Sequence, residues 1–367
     1  MDPLTHIHAP CPVSFFRSSI DTLRPYVPGR QPAPGARIIK LNTNENPYAP
    51  SGRALRALRD LDPDRLRRYP DPLGHEFREA VSEVLAVDPT WVLPGNGSDD
   101  LLTMLVRAAT GPGRPVVFPS PTYVLYRTLA EIQDAPVVAV PFGDSFTLPV
   151  EPLRAAQGAL TLVANPNSPS GTATPTDELA TLAGALDGLL VIDEAYAAFA
   201  DDNALALVER HPNVVILRTL SKSHGLAGLR LGFAVAQPPV IESLIKVKDS
   251  YNVDAVAAHV GSAAIRDTAY TQTVVERIKA SRTRLAAALR TLGCQVWPSQ
   301  ANFLLVRPPA GDASRVYGAL EAEGILVRYF AEPSLSELLR ITVGTEEDLT
   351  AFLTAFETIL HDASTRR

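Results

Sequence analysis

Asp193-Glu194-Ala195-Tyr196, followed by Ser221-Lys222 and then Arg230, is the stretch from which the fold can be read. The tetrapeptide closes the apolar run 189–192, Lys222 comes shortly after a second run, 214–217, and Arg230 opens a third, 231–236. Short apolar runs of this kind, separated by helix-period segments, predict strands of a parallel sheet covered on both faces. Ligands of open α/β sheets bind at the carboxyl edge of the strands. An acid, a phenol, an amine and a guanidinium are therefore expected along one edge. If the strand after Arg230 returns antiparallel, its start lies beside the end of the lysine strand, and Gly225 and Gly228 let the connecting loop come close.

Working outward, runs 115–118, 136–140 and 160–164 predict further strands, and 123–132 and 177–186 predict helices. Gly95-Asn96-Gly97-Ser98-Asp99 leads into an amphipathic helix with Ser98 as its cap. The free N–H groups of that helix start predict an anion site, with Ser221 and Arg230 placed to complete a phosphate pocket. Neither GxxxxGK[ST] nor GxGxxG occurs, which sets aside the usual nucleotide fingerprints. Residues 239–290 read as mostly helical, with long segments at 255–265 and 274–292. Strands at 301–306, 326–329 and 339–343, a helix at 314–323 and a closing helix from Glu346 then describe a small α+β domain. The expected organisation is an N-terminal arm, residues 1–37, with seven prolines and a short helix near 15–23; a large domain, 38–280; and a small domain, 281–367.

Composition narrows the function classes. At 367 residues the chain has room for one large and one small domain, and 46% apolar residues supply a substantial core. A formal net charge of -6 with no basic run argues against nucleic acid or an anionic membrane as partner. No stretch reaches the ~20 apolar residues a membrane span needs. Cys11 and Cys294 make no disulfide framework, and neither they nor the seven histidines show metal-ligand spacing, so a cytoplasmic protein without metal is expected.

Further motifs carry a resemblance. Asn165-Pro-Asn-Ser-Pro-Ser-Gly171, the Asp193 tetrapeptide and Thr219-Leu-Ser-Lys222 with Arg230 resemble the pyridoxal-phosphate aminotransferases of fold type I. Leu41-Asn-Thr-Asn-Glu-Asn-Pro47, Arg68-Tyr-Pro-Asp71, Pro121-Thr-Tyr123 and Leu339-Arg-Ile-Thr-Val-Gly344 are similar to the histidinol-phosphate aminotransferase family in particular. The resemblance runs from about Leu23 to the C-terminal helix. It implies a mostly parallel seven-stranded sheet with helices on both faces, pyridoxal 5'-phosphate as cofactor and a homodimer. It also implies transamination between histidinol phosphate and 2-oxoglutarate in histidine biosynthesis.

Residue roles follow from the same resemblance. Lys222 would be the Schiff-base lysine and proton shuttle, and Asp193 would pair with the pyridine nitrogen. Tyr196 would hydrogen-bond the ring hydroxyl and Tyr123 stack on the ring. Gly97, Ser98, Asp99, Ser221 and Arg230 would lie at the phosphate, with Tyr69 reaching the phosphate of the neighbouring subunit. Ser168 stands where the family usually carries an asparagine, with Asn167 as candidate substitute. Arg340 and Arg328 would clamp substrate anions, while Tyr26 and Asn44 would complete the substrate pocket. Two enzymatic alternatives share the scaffold: an aromatic amino-acid aminotransferase, and a lyase resembling threonine-phosphate decarboxylase. A transcription regulator with an aminotransferase-like sensor would need a DNA-binding module, which 37 proline-rich residues do not supply.

Overall fold

A computed structural model of the chain describes residues 15–23, 38–143 and 145–365. The chain enters through β1 (Ile39–Lys40). The main sheet is then built from β2 (Val92–Gly95), β3 (Val116–Ser120), β4 (Val137–Pro141), β5 (Leu160–Ala164), β6 (Leu189–Asp193), β7 (Val214–Thr219) and β8 (Gly232–Val235). Their order across the sheet is β2-β8-β7-β6-β5-β3-β4. The pairs from β4 to β7 are parallel, and β8 alone runs against both its neighbours.

Side-chain alternation divides each central strand between two cores. Leu190, Ile192, Val214, Ile216, Phe233 and Val235 join the cluster on one face, and Val191, Val215, Leu217 and Ala234 join the other. Each of the Leu, Ile, Val and Phe side chains, buried in this way, contributes about 1.5–3 kcal/mol. Helices Ser98–Ala109 and Leu125–Ile132 cover the second face, while His75–Leu85, Thr176–Ala185 and Ala255–Ile265 cover the first. The sequence reading omitted β2. Its four residues include a proline and a glycine, and it pairs with β8 alone at the sheet edge, where proline is tolerated.

A continuous helix, Thr268–Thr291, leads to the remaining strands: β9 (Gln295–Val296), β10 (Phe303–Arg307), β11 (Ile325–Leu326), β12 (Arg328–Tyr329) and β13 (Leu339–Thr342). An antiparallel sheet of order β12-β13-β10-β9 packs on helices Ala313–Ala322 and Glu346–Thr365, through a core that includes Phe303, Phe352 and Phe356. The strand expected at 326–329 is interrupted at Val327: β11 pairs parallel with β1, whereas β12 pairs with β13. One short run thus ties the N-terminal entry of the chain to the small sheet. Cys294 is a buried free thiol. Among the described residues, no helix is long and apolar enough to cross a membrane and no group of His, Cys, Asp and Glu could hold a metal ion.

Candidate active site

Strand register assembles the site. Ala164 and Asp193 are paired at the ends of β5 and β6, and Thr219 at the end of β7 faces Gly232 at the start of β8. Gly232 in turn faces Gly95, just before the helix Ser98–Ala109. Asp193, Ser221, Lys222, Arg230, Ser98 and Asp99 consequently line one cavity of about 240 Å³, with Tyr123, Tyr196 and Asn44 also in its wall.

Asp193 closes the floor and is 6% exposed. Its Oδ2 accepts from the Tyr126 hydroxyl at 2.8 Å and its Oδ1 from the Ala195 N–H at 3.1 Å. Burial raises the carboxyl to about 6, although these two donors pull it down. Tyr126 is a functional contact absent from the sequence reading. It lies three residues after Tyr123, a spacing that places both on one side of a helix start, and their rings meet edge to face at 5.7 Å.

The lysine is held beside the acid. Lys222 Nζ donates to the Thr43 carbonyl at 3.3 Å and lies 5.8 Å from the Tyr196 ring centroid. Asn46 Nδ2 donates to the backbone carbonyls of Lys222 and Ser223 at 2.8 and 3.1 Å, fixing that turn. The Tyr196 hydroxyl accepts from Asn44 Nδ2 at 2.9 Å. Asn44 sits at φ 56°, and its left-handed backbone is held by Thr342, whose hydroxyl accepts from the Asn44 N–H at 3.0 Å and donates to Oδ1 at 3.1 Å.

Elsewhere in the wall the start of helix Ser98–Ala109 meets Arg230 and Ser221. The helix cap is Gly97 rather than Ser98: its φ of 80° and ψ of 167° are readily adopted only by glycine, so Ser98 becomes the first helical residue and lines the cavity. Arg230, itself at φ 53°, directs Nη2 to Asp99 Oδ2 at 3.3 Å and Nη1 to the Ser221 hydroxyl at 3.5 Å. Tyr123 donates to the other Asp99 oxygen at 3.2 Å.

Two arginines form the outer wall. Arg340 donates to Ser168 Oγ at 2.9 Å and to the Asn42 carbonyl at 3.0 Å, so the serine at the usual asparagine position contacts a guanidinium. Arg328 and Arg340, with Ser168 and Tyr123, also border an adjoining groove of about 760 Å³. Two expected residues lie elsewhere. Asn167 is buried in its own loop, bonded to the Pro121 carbonyl, Ser170 and Thr122, and does not line the cavity. Tyr69 stands on the outer surface, 81% exposed and stacked on Tyr251 at 4.5 Å. Tyr26 falls outside the described residues.

A buried acid, an amine, two phenols and a helix start beside a guanidinium share one cavity at the sheet edge with two arginines. The family of class I and II aminotransferases matches residues 36–356, and the chain belongs to it. Within that class it is a member of the histidinol-phosphate aminotransferase family. Histidinol-phosphate aminotransferase 1 of a Nostoc species is 54% identical over 347 residues, 95% of this chain and 98% of that protein. The corresponding protein of Trichormus variabilis is 54% identical over 91% of this chain and 95% of its own length. Among solved structures, histidinol-phosphate aminotransferase from Sinorhizobium meliloti in complex with pyridoxal-5'-phosphate superposes with a TM-score of 0.88 at 27% identity, covering 96% of this chain and 99% of that one.

Proposed function

We propose that the chain catalyses transfer of the amino group of histidinol phosphate to 2-oxoglutarate, with pyridoxal 5'-phosphate as cofactor, in histidine biosynthesis. The observation that carries the reading is the pairing of Asp193, Lys222 and the Gly97–Arg230 cradle with two arginines around one cavity. The residues fit the cofactor on physical grounds. Asp193 is a carboxylate buried without a cation at the cavity floor in the contacts described, and the Gly97–Arg230 cradle presents N–H, hydroxyl and guanidinium donors to an anion.

Bound pyridoxal phosphate supplies a carbonyl that accepts the amino group and a protonated ring that withdraws electrons from Cα. Asp193 would keep the ring nitrogen protonated, and Tyr126 holds that carboxylate in place. Lys222 Nζ moves a proton at the donor Cα, its reach set by Thr43 and Tyr196. Tyr196, oriented by Asn44, would donate to the ring hydroxyl oxygen. Tyr123 would lie against the ring, and Gly97, Ser98, Asp99, Ser221 and Arg230 would hold the phosphate. Arg328 and Arg340 take the donor phosphate in one half-reaction and a carboxylate of 2-oxoglutarate in the other, with Tyr26 and Asn44 completing that pocket. Exposed Tyr69 supports a homodimer in which it reaches the partner's cofactor phosphate. The soluble, phosphorylated substrate and the cysteine usage support a cytoplasmic enzyme. We take 1–37 as an arm, 38–280 as the cofactor-binding domain and 281–367 as the small domain.

The test is a single half-reaction. Histidinol phosphate added to the cofactor-loaded protein should change its visible absorbance within one turnover, and Lys222→Ala should abolish both that change and steady-state turnover. A rapid change with phenylalanine but none with histidinol phosphate would sink the substrate assignment. Carbon dioxide release from threonine phosphate would point instead to a lyase.

A further inference from the structure

Arg328 and Arg340 are cross-strand partners in the β12–β13 register, so their side chains leave the same face of the sheet. Like charges placed directly opposite oppose folding, and a pair of this kind needs something to offset the repulsion. Phe330 lies two residues beyond Arg328, just after β12, with its ring against both arginines. Its ring centroid is 5.5 Å from Arg328 Cζ and 5.7 Å from Arg340 Cζ, both within range of cation–π attraction. Arg340 also lies 5.2 Å from the Phe303 centroid, which places its guanidinium in contact range of two aromatic rings. Phe330 is itself anchored, packing against buried Leu305, Leu335 and Leu338, and it borders the groove that the two arginines share with the cavity.

We propose that Phe330 is a positioning and specificity-determining residue: its ring seats the Arg328 and Arg340 guanidinium groups as one two-cation site for a doubly charged anion. This deepens the reading above and rests on it. Neither charge is neutralised by the ring, so the pair keeps its attraction for a phosphate or a distal carboxylate while losing the freedom to splay apart. An aliphatic residue of similar bulk preserves the apolar packing but lacks the quadrupole that draws in both cations.

The experiment compares Phe330→Leu, Phe330→Met and Phe330→Tyr with the unmodified, cofactor-loaded protein. Equilibrium binding of succinate is measured by calorimetry, alongside KM and kcat for histidinol phosphate and 2-oxoglutarate. Two cation–π contacts predict that Leu and Met weaken succinate and raise both KM values about tenfold, with kcat within about twofold. Cofactor affinity should stay unchanged. The tyrosine variant, which keeps the ring, should return all values to within about threefold of the original. Unchanged succinate binding in the Leu or Met variant overturns the proposal, as does a tyrosine variant that loses as much as leucine. Should leucine fail to fold, methionine and tyrosine decide. A protein that binds succinate and uses 2-oxoglutarate but ignores histidinol phosphate would overturn the donor assignment alone, leaving Phe330 to be judged on the succinate series.

Discussion

The carboxyl of Asp193 is buried and the imidazole of His224, two residues after Lys222, is half-buried, and desolvation pushes them in opposite directions. Desolvation raises Asp193 from 3.8 to about 6 and lowers His224 from 6.5 to about 4. Each shift is a statement about stability. Between pH 4 and 6 folded Asp193 holds a proton that the unfolded chain has released, so its contribution is present at low pH and lost as pH rises towards 6. His224 is the reverse: the unfolded chain takes up a proton that the folded one excludes, so its contribution is lost as pH falls from 6.5 towards 4. The two slopes oppose each other in the cofactor-free protein. Urea midpoints measured across this window should therefore rise more steeply with pH in Asp193→Asn than in the unmodified protein, and less steeply in His224→Gln. Curves parallel to the unmodified one would show that neither group is desolvated as described. Binding a cationic ring nitrogen beside Asp193 favours the charged carboxylate, which is the state the proposed reaction uses.

Two elements meet at the anion cradle, the start of helix Ser98–Ala109 and the loop joining β7 to β8. Their approach depends on glycine at a defined point. A Cβ built on Gly97 would lie 2.6 Å from Arg230 Nη2, and the backbone there is at φ +80°. Alanine at this position would strain the cap by about 1–3 kcal/mol and displace the guanidinium from Ser221 and Asp99. Gly97→Ala is accordingly expected to lower the urea midpoint and to weaken pyridoxal phosphate about tenfold or more in an absorbance titration, with the substrate arginines untouched. Retention of full cofactor affinity would mean that the phosphate is held elsewhere. The same loop carries Lys222, so the helix start and the amine are kept in register by a single connection.

At the scale of the molecule, Tyr69 and the cavity lie on separate surfaces of one chain, and only a second copy brings them together in the proposed dimer. Mixing Lys222→Ala with Tyr69→Ala, each inactive or nearly so, should restore activity, because a mixed dimer has one site with both groups intact. Random pairing puts the ceiling at ~25% of normal. No recovery after verified subunit exchange would remove Tyr69 from the partner's site. Much of this architecture was legible in the residues. Strands β5 to β8 are short, mainly apolar runs, polar only at Thr161 and at the ends of β6 and β7, and Asp193, Lys222 and Arg230 sit at or just beyond their ends in an order fixed by the chain. β2 escaped notice because proline and glycine disguise it, and the break at Val327 because a strand's sheet is chosen by its partners. The contacts that tune the site span long separations: Tyr126 to Asp193 across 67 residues, Ser168 to Arg340 across 172, Asn44 to Thr342 across 298. By itself the sequence determined which chemical groups exist and at which strand ends they stand, since pattern and order are local properties. Only the tertiary structure decided which neighbours hold the acid, turn Asn167 away and seat two like charges around Phe330, because burial and hydrogen bonding depend on chain segments that meet only after folding.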